Sequence, residues 1–336
     1  MTRQDWLDYL DERFPRKTLA TLPTPLELSR NLSRKLHGPE IYIKRDDLTG
    51  LALGGDKPRK LEYLLAEATR QGADTIVTGG SSQSNHVRLT TAASNKLGLH
   101  TVALCTTDMH QKNTGNLLLS RLFGAEILFT AVPDNDHWLL MPLMETECAR
   151  LLEQGRKPFL IPISGTTTLA CLGYIRCALE LDQQFEEAGI EPTAIYIASG
   201  TGGNLAALAL GMAMVGRVVR MVGINVNRTG PIAEELAREW IQKTADLLEI
   251  QPQGQFEMDG RFVGGGYGLM TDASRDAIHM VARTEGLLLD PVYTGKAAAG
   301  MIAHTGEGRF TNDDTVVFVH TGGVPSLFAY AEGLTD

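Results

Sequence analysis

The stretch LALGGDKPRKLEYLLAEA, Leu51 to Ala68, sets a lysine between a glycine pair and a proline at the mouth of a helix. Lysine solvates readily and needs no such setting for solubility. A helix start is also an electrostatically poor place for a cation. Lys57 is therefore either an ordinary turn charge or an amine held for chemistry, and an amine placed this way can condense with a carbonyl. A second stretch, IASGTGGNLAA, leads from a β-rich run through Ser199, Gly200, Thr201, Gly202, Gly203 and Asn204 into an Ala/Leu-rich helix. Its glycines let backbone N–H groups turn onto an anion, and the helix start adds a favourable field. It is not a dinucleotide fingerprint, because Leu205 stands where the third glycine belongs. Nor is it a Walker A loop, since it lacks G-K-[ST].

A third polar turn, GGSSQSNHVR, holds Ser84 and Asn85, which suit either a planar polar ligand or the capping of the next helix. His86 reads there as a tucked-in ring and Arg88 as a solvated charge. Tyr267 in GGGYGLMTD and Tyr293 in LLLDPVYTGKAAAG sit in Gly- or Pro-containing turns, and Thr321 lies in VHTGG, beyond the last apolar run.

The elements that must position these groups follow one pattern. Short apolar runs (IYIKRDD, DTIVTGG, HTVALCTT, EILFTAV, PFLIPIS, AIYIAS, VRMVGINVN, TVVFVH) alternate with helical segments. Such runs read as parallel strands buried on both faces by crossover helices, so the class is α/β. Wound sheets of this kind bind ligands at the carboxyl ends of their strands. In the helix after Lys57, the residues Leu61, Leu64, Leu65 and Ala68 form one apolar stripe, with Pro58 at its start and Gly72 as its stop.

A net charge of -9 argues against a nucleic-acid or anionic-membrane partner, whose binding rests on basic patches. The four cysteines, Cys105, Cys148, Cys171 and Cys177, form no C-x-x-C pair. They suggest neither a metal site nor a disulfide framework but reduced, mostly buried thiols. The acidic start, MTRQDWLDYLDERFPRK, lacks the apolar core of a signal peptide. No apolar run approaches the ~20 residues that span a bilayer. A cytoplasmic protein is expected.

An amine in a glycine-lined turn, a separate phosphate cradle and tyrosines on other turns suit a phosphorylated aldehyde cofactor. In this combination the chain resembles the tryptophan-synthase-like (fold type II) pyridoxal-phosphate enzymes, specifically the D-cysteine desulfhydrase and 1-aminocyclopropane-1-carboxylate (ACC) deaminase family. The likeness runs from TPLELSRNLS through the Lys57 stretch, QSNHVR, LLLDPVYTGKAAAG and VHTGG. It implies a two-lobed fold with a discontinuous larger domain, residues 1–50 and 162–336, and a smaller domain, residues 51–161, with pyridoxal 5'-phosphate in the cleft. It further implies that Lys57 is the Schiff-base lysine and that Ser199 to Asn204 form the phosphate loop. Asn85 would stand beside the phenolic oxygen and Thr321 near the pyridine nitrogen. Ser84, Tyr267 and Tyr293 match positions for proton transfer and substrate binding, and a homodimer is implied.

Thr294 follows the PVY tyrosine where ACC deaminases carry Glu, and with Thr321 it would leave the ring's surroundings neutral. That favours β-elimination from D-cysteine over cyclopropane opening, with L-cysteate a further candidate. Against the family pattern, Asp56 replaces Asn, Gly80, Ser81 and Ser82 precede QSNH, Ser164 replaces Gly, Met270 replaces Pro, and CTTDMHQKNTGN is short. Two readings from other classes compete: a nucleotide-dependent oxidoreductase, and a non-catalytic amino-acid or anion-binding protein.

Overall fold

The structure, a computed structural model, describes residues 1–106, 112–227 and 230–335; the middle of the short CTTDMHQKNTGN segment lies outside the described residues. Strands are β1 (Leu26–Leu28), β2 (Glu40–Lys44), β3 (Thr75–Gly80), β4 (His100–Cys105), β5 (Glu126–Phe129), β6 (Pro158–Leu160), β7 (Ala194–Ser199), β8 (Arg220–Asn225), β9 (Phe256–Asp259) and β10 (Thr315–Val319). Helices are α1 (Arg3–Arg13), α2 (Arg30–Leu36), α3 (Lys57–Arg70), α4 (Asn85–Lys96), α5 (Gly115–Leu122), α6 (Leu140–Glu153), α7 (Thr168–Ala188), α8 (Gly203–Met214), α9 (Pro231–Leu248), α10 (Asp272–Glu285) and α11 (Thr294–Gly306). No helix among the described residues is long and apolar enough to cross a membrane.

Two sheets organise these elements. One has the order β1-β2-β10-β7-β8-β9 and the other β5-β4-β3-β6. Every pairing is parallel except β1 on β2. The apolar runs do not mark β1 and β9; both are short edge strands, LEL and FEMD, whose two apolar residues each are separated by a glutamate and form no run. The β3 strand is buried at every position, and β7, β8 and β10 nearly so, which is why they read as continuous apolar runs rather than alternating ones.

The α3 stripe is buried as its spacing predicts. Leu61, Leu64, Leu65 and Ala68 pack with Ile76, Leu89, Ile161 and Ala170 in one apolar cluster, each large side chain contributing about 1.5–3 kcal/mol. Gly72 follows the helix at φ +70°, the left-handed stop that glycine allows. The carboxyl ends of β3, β7 and β10 lead directly into the three polar turns, which carry Ser84, Ser199 to Asn204, and Thr321.

Candidate active site

Close backbone approach shapes the turn that presents Lys57. Gly54 has φ +65°, and a Cβ there would lie 1.8 Å from the Asp47 carbonyl oxygen, so only glycine fits. A Cβ on Gly322 would fall 2.6 Å from the Gly55 Cα. Beside that contact the Asp56 N–H donates to the Thr321 carbonyl at 3.0 Å. Thr49 closes the turn from within, its hydroxyl donating to the Gly55 carbonyl at 2.6 Å. Ala52 and Leu53 are both left-handed, at φ 45° and 70°. Arg88 reaches over from α4 and donates to the carbonyls of Ala52 and Gly54. The expectation of a solvated charge at Arg88 is therefore corrected. It is wholly buried, because inward-turned carbonyls need a donor, and burial lowers its pKa to about 10.

Asp56 is the residue before α3 but makes no capping bond. Its carboxylate instead accepts from Lys57 Nζ at 2.8 and 2.7 Å and from Asn204 Nδ2 at 2.7 Å. Burial alone would raise its pKa; the ammonium charges of Lys57 and Lys60 outweigh that and hold it below the usual carboxylate value. Sequence reasoning missed Lys60, although its i+3 spacing from Lys57 was the available signal. Lys60 is buried and donates to Thr166 Oγ1 at 3.0 Å and to the Ser164 carbonyl at 3.2 Å. Burial first, and Lys57's charge second, lower its pKa to about 8. Ser164, where glycine is typical of the family, is held at φ 68°, a conformation costly for a residue with a Cβ.

The Ser199–Asn204 turn is clamped from two sides. Gly202 has φ +82°, and a Cβ there would lie 3.1 Å from the Ala237 Cα of α9. One on Gly203 would lie 2.4 Å from Thr166 Cγ2. Trp240 Nε1 donates to the Thr201 carbonyl at 3.1 Å, and Thr166 and Thr201 share a hydroxyl bond of 2.8 Å. The first N–H groups of α8 have no partner within the helix. Ser199 Oγ, Asn204 Oδ1 and Asn227 Oδ1 are buried without hydrogen-bond partners. Buried polar atoms of this kind call for a ligand or water.

Lys57, Asn85, Ser164, Gly200, Thr201 and Tyr293 line two adjoining hollows of about 510 and 470 Å³. The first also takes in Asp56, Lys60, the rest of the glycine turn and Thr321; the second reaches Ser84, His137, Asn227 and Tyr267. Ser84 caps α4, its Oγ accepting from the Val87 N–H at 3.2 Å, which leaves the hydroxyl proton for another acceptor. Asn85 Oδ1 accepts from Asn116 Nδ2 at 2.9 Å. The Tyr267 and Tyr293 hydroxyls meet at 2.8 Å, and Asp290 Oδ2 accepts from the Tyr293 N–H at 2.9 Å. Burial raises the pKa of both tyrosines, so each keeps its proton at neutral pH. His86 is the tucked-in ring expected, bonded to Thr78 Oγ1 at 2.9 Å and kept neutral by burial.

The candidate catalytic and cofactor-binding residues, Lys57, Ser84, Asn85, Ser199 to Asn204, Tyr267, Tyr293 and Thr321, each border one or both hollows, whereas Thr294 lines neither. Its hydroxyl and N–H both donate to Asp290 Oδ1 at 2.8 Å, and the side chain is fully buried. As the first residue of α11, directly after Tyr293, it closes the Asp290 turn.

Pyridoxal phosphate, the cofactor that the resemblance implies, asks for an amine, an anion cradle and polar groups around a flat ring. The residues fit it: Lys57 supplies the amine, the Ser199–Asn204 turn with its unpartnered Ser199 Oγ supplies the cradle, and Asn85 and Thr321 stand on the walls between. Among the described residues the Asp56 carboxylate is the one anion in that wall, and Lys57 and Lys60 offset it.

The family described as pyridoxal-phosphate dependent enzyme matches residues 17–322. D-cysteine desulfhydrase of Salmonella newport (strain SL254) is 43% identical over 326 residues, covering 95% of this chain and 97% of the relative. The crystal structure of an ACC deaminase homologue superimposes with a TM-score of 0.91 at 36% identity, covering 98% of this chain and 97% of the other. Threonine deaminase isoform 2 from Solanum lycopersicum shares the fold, with a TM-score of 0.68 at 17% identity over 99% of this chain and 88% of the other.

Proposed function

Because the chain belongs to the pyridoxal-phosphate dependent enzyme family, we propose that it is a carbon–sulfur lyase converting D-cysteine and water to pyruvate, hydrogen sulfide and ammonia. One observation carries the reading. The Lys57 amine and the Ser199–Asn204 anion cradle border the same hollow, in a chain 43% identical to D-cysteine desulfhydrases over nearly its full length.

The cofactor, when bound, supplies the electron sink that makes the Cα proton of an amino acid acidic and a β-substituent able to leave. The protein's residues do the rest. Lys57 would hold the cofactor covalently through Nζ and, once free, would take the Cα proton at that nitrogen. Asp56, at 2.7–2.8 Å, stabilises the ammonium so formed. The hydroxyl of Ser84 would bind the substrate carboxylate, and the amide of Asn85 would stand beside the cofactor's phenolic oxygen. Tyr293 donates a proton to the departing sulfur, and Tyr267, 2.8 Å away, replenishes it. Their raised pKa values suit donors rather than bases. Gly200, Thr201, Gly202 and Gly203 would give N–H groups to the phosphate, joined by Ser199 Oγ and Asn204, and Thr321 would stand near the pyridine nitrogen. The four-stranded sheet and its helices form the smaller domain, residues 51–161, which closes on the larger one, residues 1–50 and 162–336. A cytoplasmic homodimer completes the reading, on the strength of the family likeness.

The test is keto-acid and sulfide release from D-cysteine, with L-cysteine, L-cysteate and ACC in parallel, for the wild type and Lys57→Ala. Wild-type turnover of D-cysteine with a loss of more than about 10³-fold in the variant supports the reading. Cofactor-loaded protein inert toward D-cysteine but active on ACC or L-cysteate would retain the family and replace the substrate.

A further inference from the structure

Lys296 has no part in the chemistry above, yet it is fully buried. It lies near the start of α11, three residues after Tyr293. Its Nζ donates to the Val263 carbonyl at 2.7 Å, the Gly266 carbonyl at 3.0 Å and the Val226 carbonyl at 3.4 Å. An ammonium has three protons, and these three oxygens account for all of them. No carboxylate pairs with it among the described residues; burial lowers its pKa to about 8, and the charge of Asp290 opposes that shift.

The carbonyls belong to the segments that complete the cleft. Val263 and Gly266 are at the base of the loop carrying Tyr267, which Gly264 and Gly266 bend at φ +67° and +139°. Val226 follows β8 and precedes Asn227, whose unpartnered Oδ1 lines the second hollow. One cation therefore joins three pieces of chain: the helix that Tyr293 begins, the loop of Tyr267 and the end of β8. A ring of backbone carbonyls around a point charge is also how free monovalent cations are held.

We propose that Lys296 is a positioning residue acting as a tethered monovalent cation. Its ammonium fixes the 263–268 loop so that Tyr267 meets Tyr293, and the same carbonyls accept a free potassium or ammonium ion once the side chain is cut away. The proposal goes beyond the lyase reading and does not depend on which amino acid is the substrate.

The experiment compares holoenzyme of the wild type, Lys296→Ala and Lys296→Met in choline, potassium and ammonium chlorides at equal ionic strength. The readouts are amide hydrogen exchange of residues 263–268, the thermal midpoint and steady-state kinetics. The wild type should not distinguish the salts. In choline, Lys296→Ala should exchange at least tenfold faster over 263–268, with kcat down by about 10²-fold, as for a ~1 Å misplacement, and with KM changed less. Potassium or ammonium should restore all three toward wild type. Lys296→Met, whose thioether fills the space, should lose protection and regain none, and it serves as the comparison if Lys296→Ala does not accumulate folded. Wild-type protection in either variant in choline, or a loss in Lys296→Ala that neither cation reverses, overturns the proposal.

Discussion

Two clusters of buried charge grow from the first turn of α3, two residues apart in sequence and opposite in character. Around Arg59 every group is satisfied. Its guanidinium spans Asp46 at 2.8 and 2.9 Å and Glu180 at 2.9 and 3.0 Å. Lys44 Nζ reaches Glu180, Gln184 and the Thr24 carbonyl, and the Tyr174 hydroxyl adds a bond to Asp46 at 3.0 Å. Around Lys57 the cluster is open. Asp56 and Asn204 pair with each other, but Ser199 Oγ and Asn204 Oδ1 have no partner. The first cluster ties β2, α3 and α7 together; the second leaves donors and acceptors waiting for something else. Here the complete cluster is a structural knot, and the incomplete one, which borders the hollow, is the site.

Breaking the closed cluster should have the largest effect on stability. Arg59→Met leaves Asp46 and Glu180 facing each other without the guanidinium, and we expect a loss of about 3–5 kcal/mol in chemical denaturation. A loss below about 1 kcal/mol would erase the contrast between the clusters.

Acid should expose the same cluster. Burial pushes the Asp46 carboxyl up, but Arg59 and Lys44 outweigh it and hold its pKa below 3.8. Its contribution is therefore complete above the unfolded value of 3.8 and is lost as pH falls through the lower folded value. Unfolding free energy measured through this range should fall more steeply for the wild type than for Asp46→Asn; parallel curves would contradict the assignment.

At the open cluster, Asp56→Asn should change stability by about 1 kcal/mol or less, because asparagine can still accept from Lys57 and Asn204. Removing a carboxylate from the wall of the anion cradle should instead tighten cofactor binding by roughly 3- to 10-fold. Equilibrium titration of the apoenzyme measures this, and weaker binding would mean that Asp56 helps to hold the cofactor. The smallest effect belongs to the surface. Lys112 and Glu332, 3.3 Å apart with side chains 83% and 94% exposed, should lose nothing measurable in Glu332→Ala.

The open cluster was far more legible in the sequence than the closed one. Lys57 and the Ser199–Asn204 turn announce themselves through glycine, which serves local backbone needs: Gly54 for its contact with Asp47, Gly202 for its left-handed turn against α9. The apolar runs likewise mark eight strands; in β3, β7, β8 and β10 that mark is burial on both faces, whereas β5 and β6 are only partly buried. Arg59 gave no sign, because its partners Asp46 and Glu180 come from β2's exit and from α7, and nothing local distinguishes it from a surface arginine. Arg88 and Lys296 were hidden for the same reason. Each is a cation whose burial depends on carbonyls contributed by distant turns. Thr294 shows the converse: its place after the PVY tyrosine is plain in the sequence, whereas the bond of its hydroxyl to Asp290 is not.

The placement of β10 has a consequence for how the molecule comes into being. It lies between β2 and β7 in the larger sheet, and the turn after it meets the Lys57 turn backbone to backbone through Thr321 and Gly322. A ribosome that has delivered residues 1–300 has therefore made the amine and the anion cradle without the strand that sets them side by side. Until residues 315–322 emerge, β2 lacks its inner neighbour and presents an unpaired edge, the kind of surface that makes folding intermediates prone to aggregate. Competence to take up the cofactor should then appear late and all at once in synthesis.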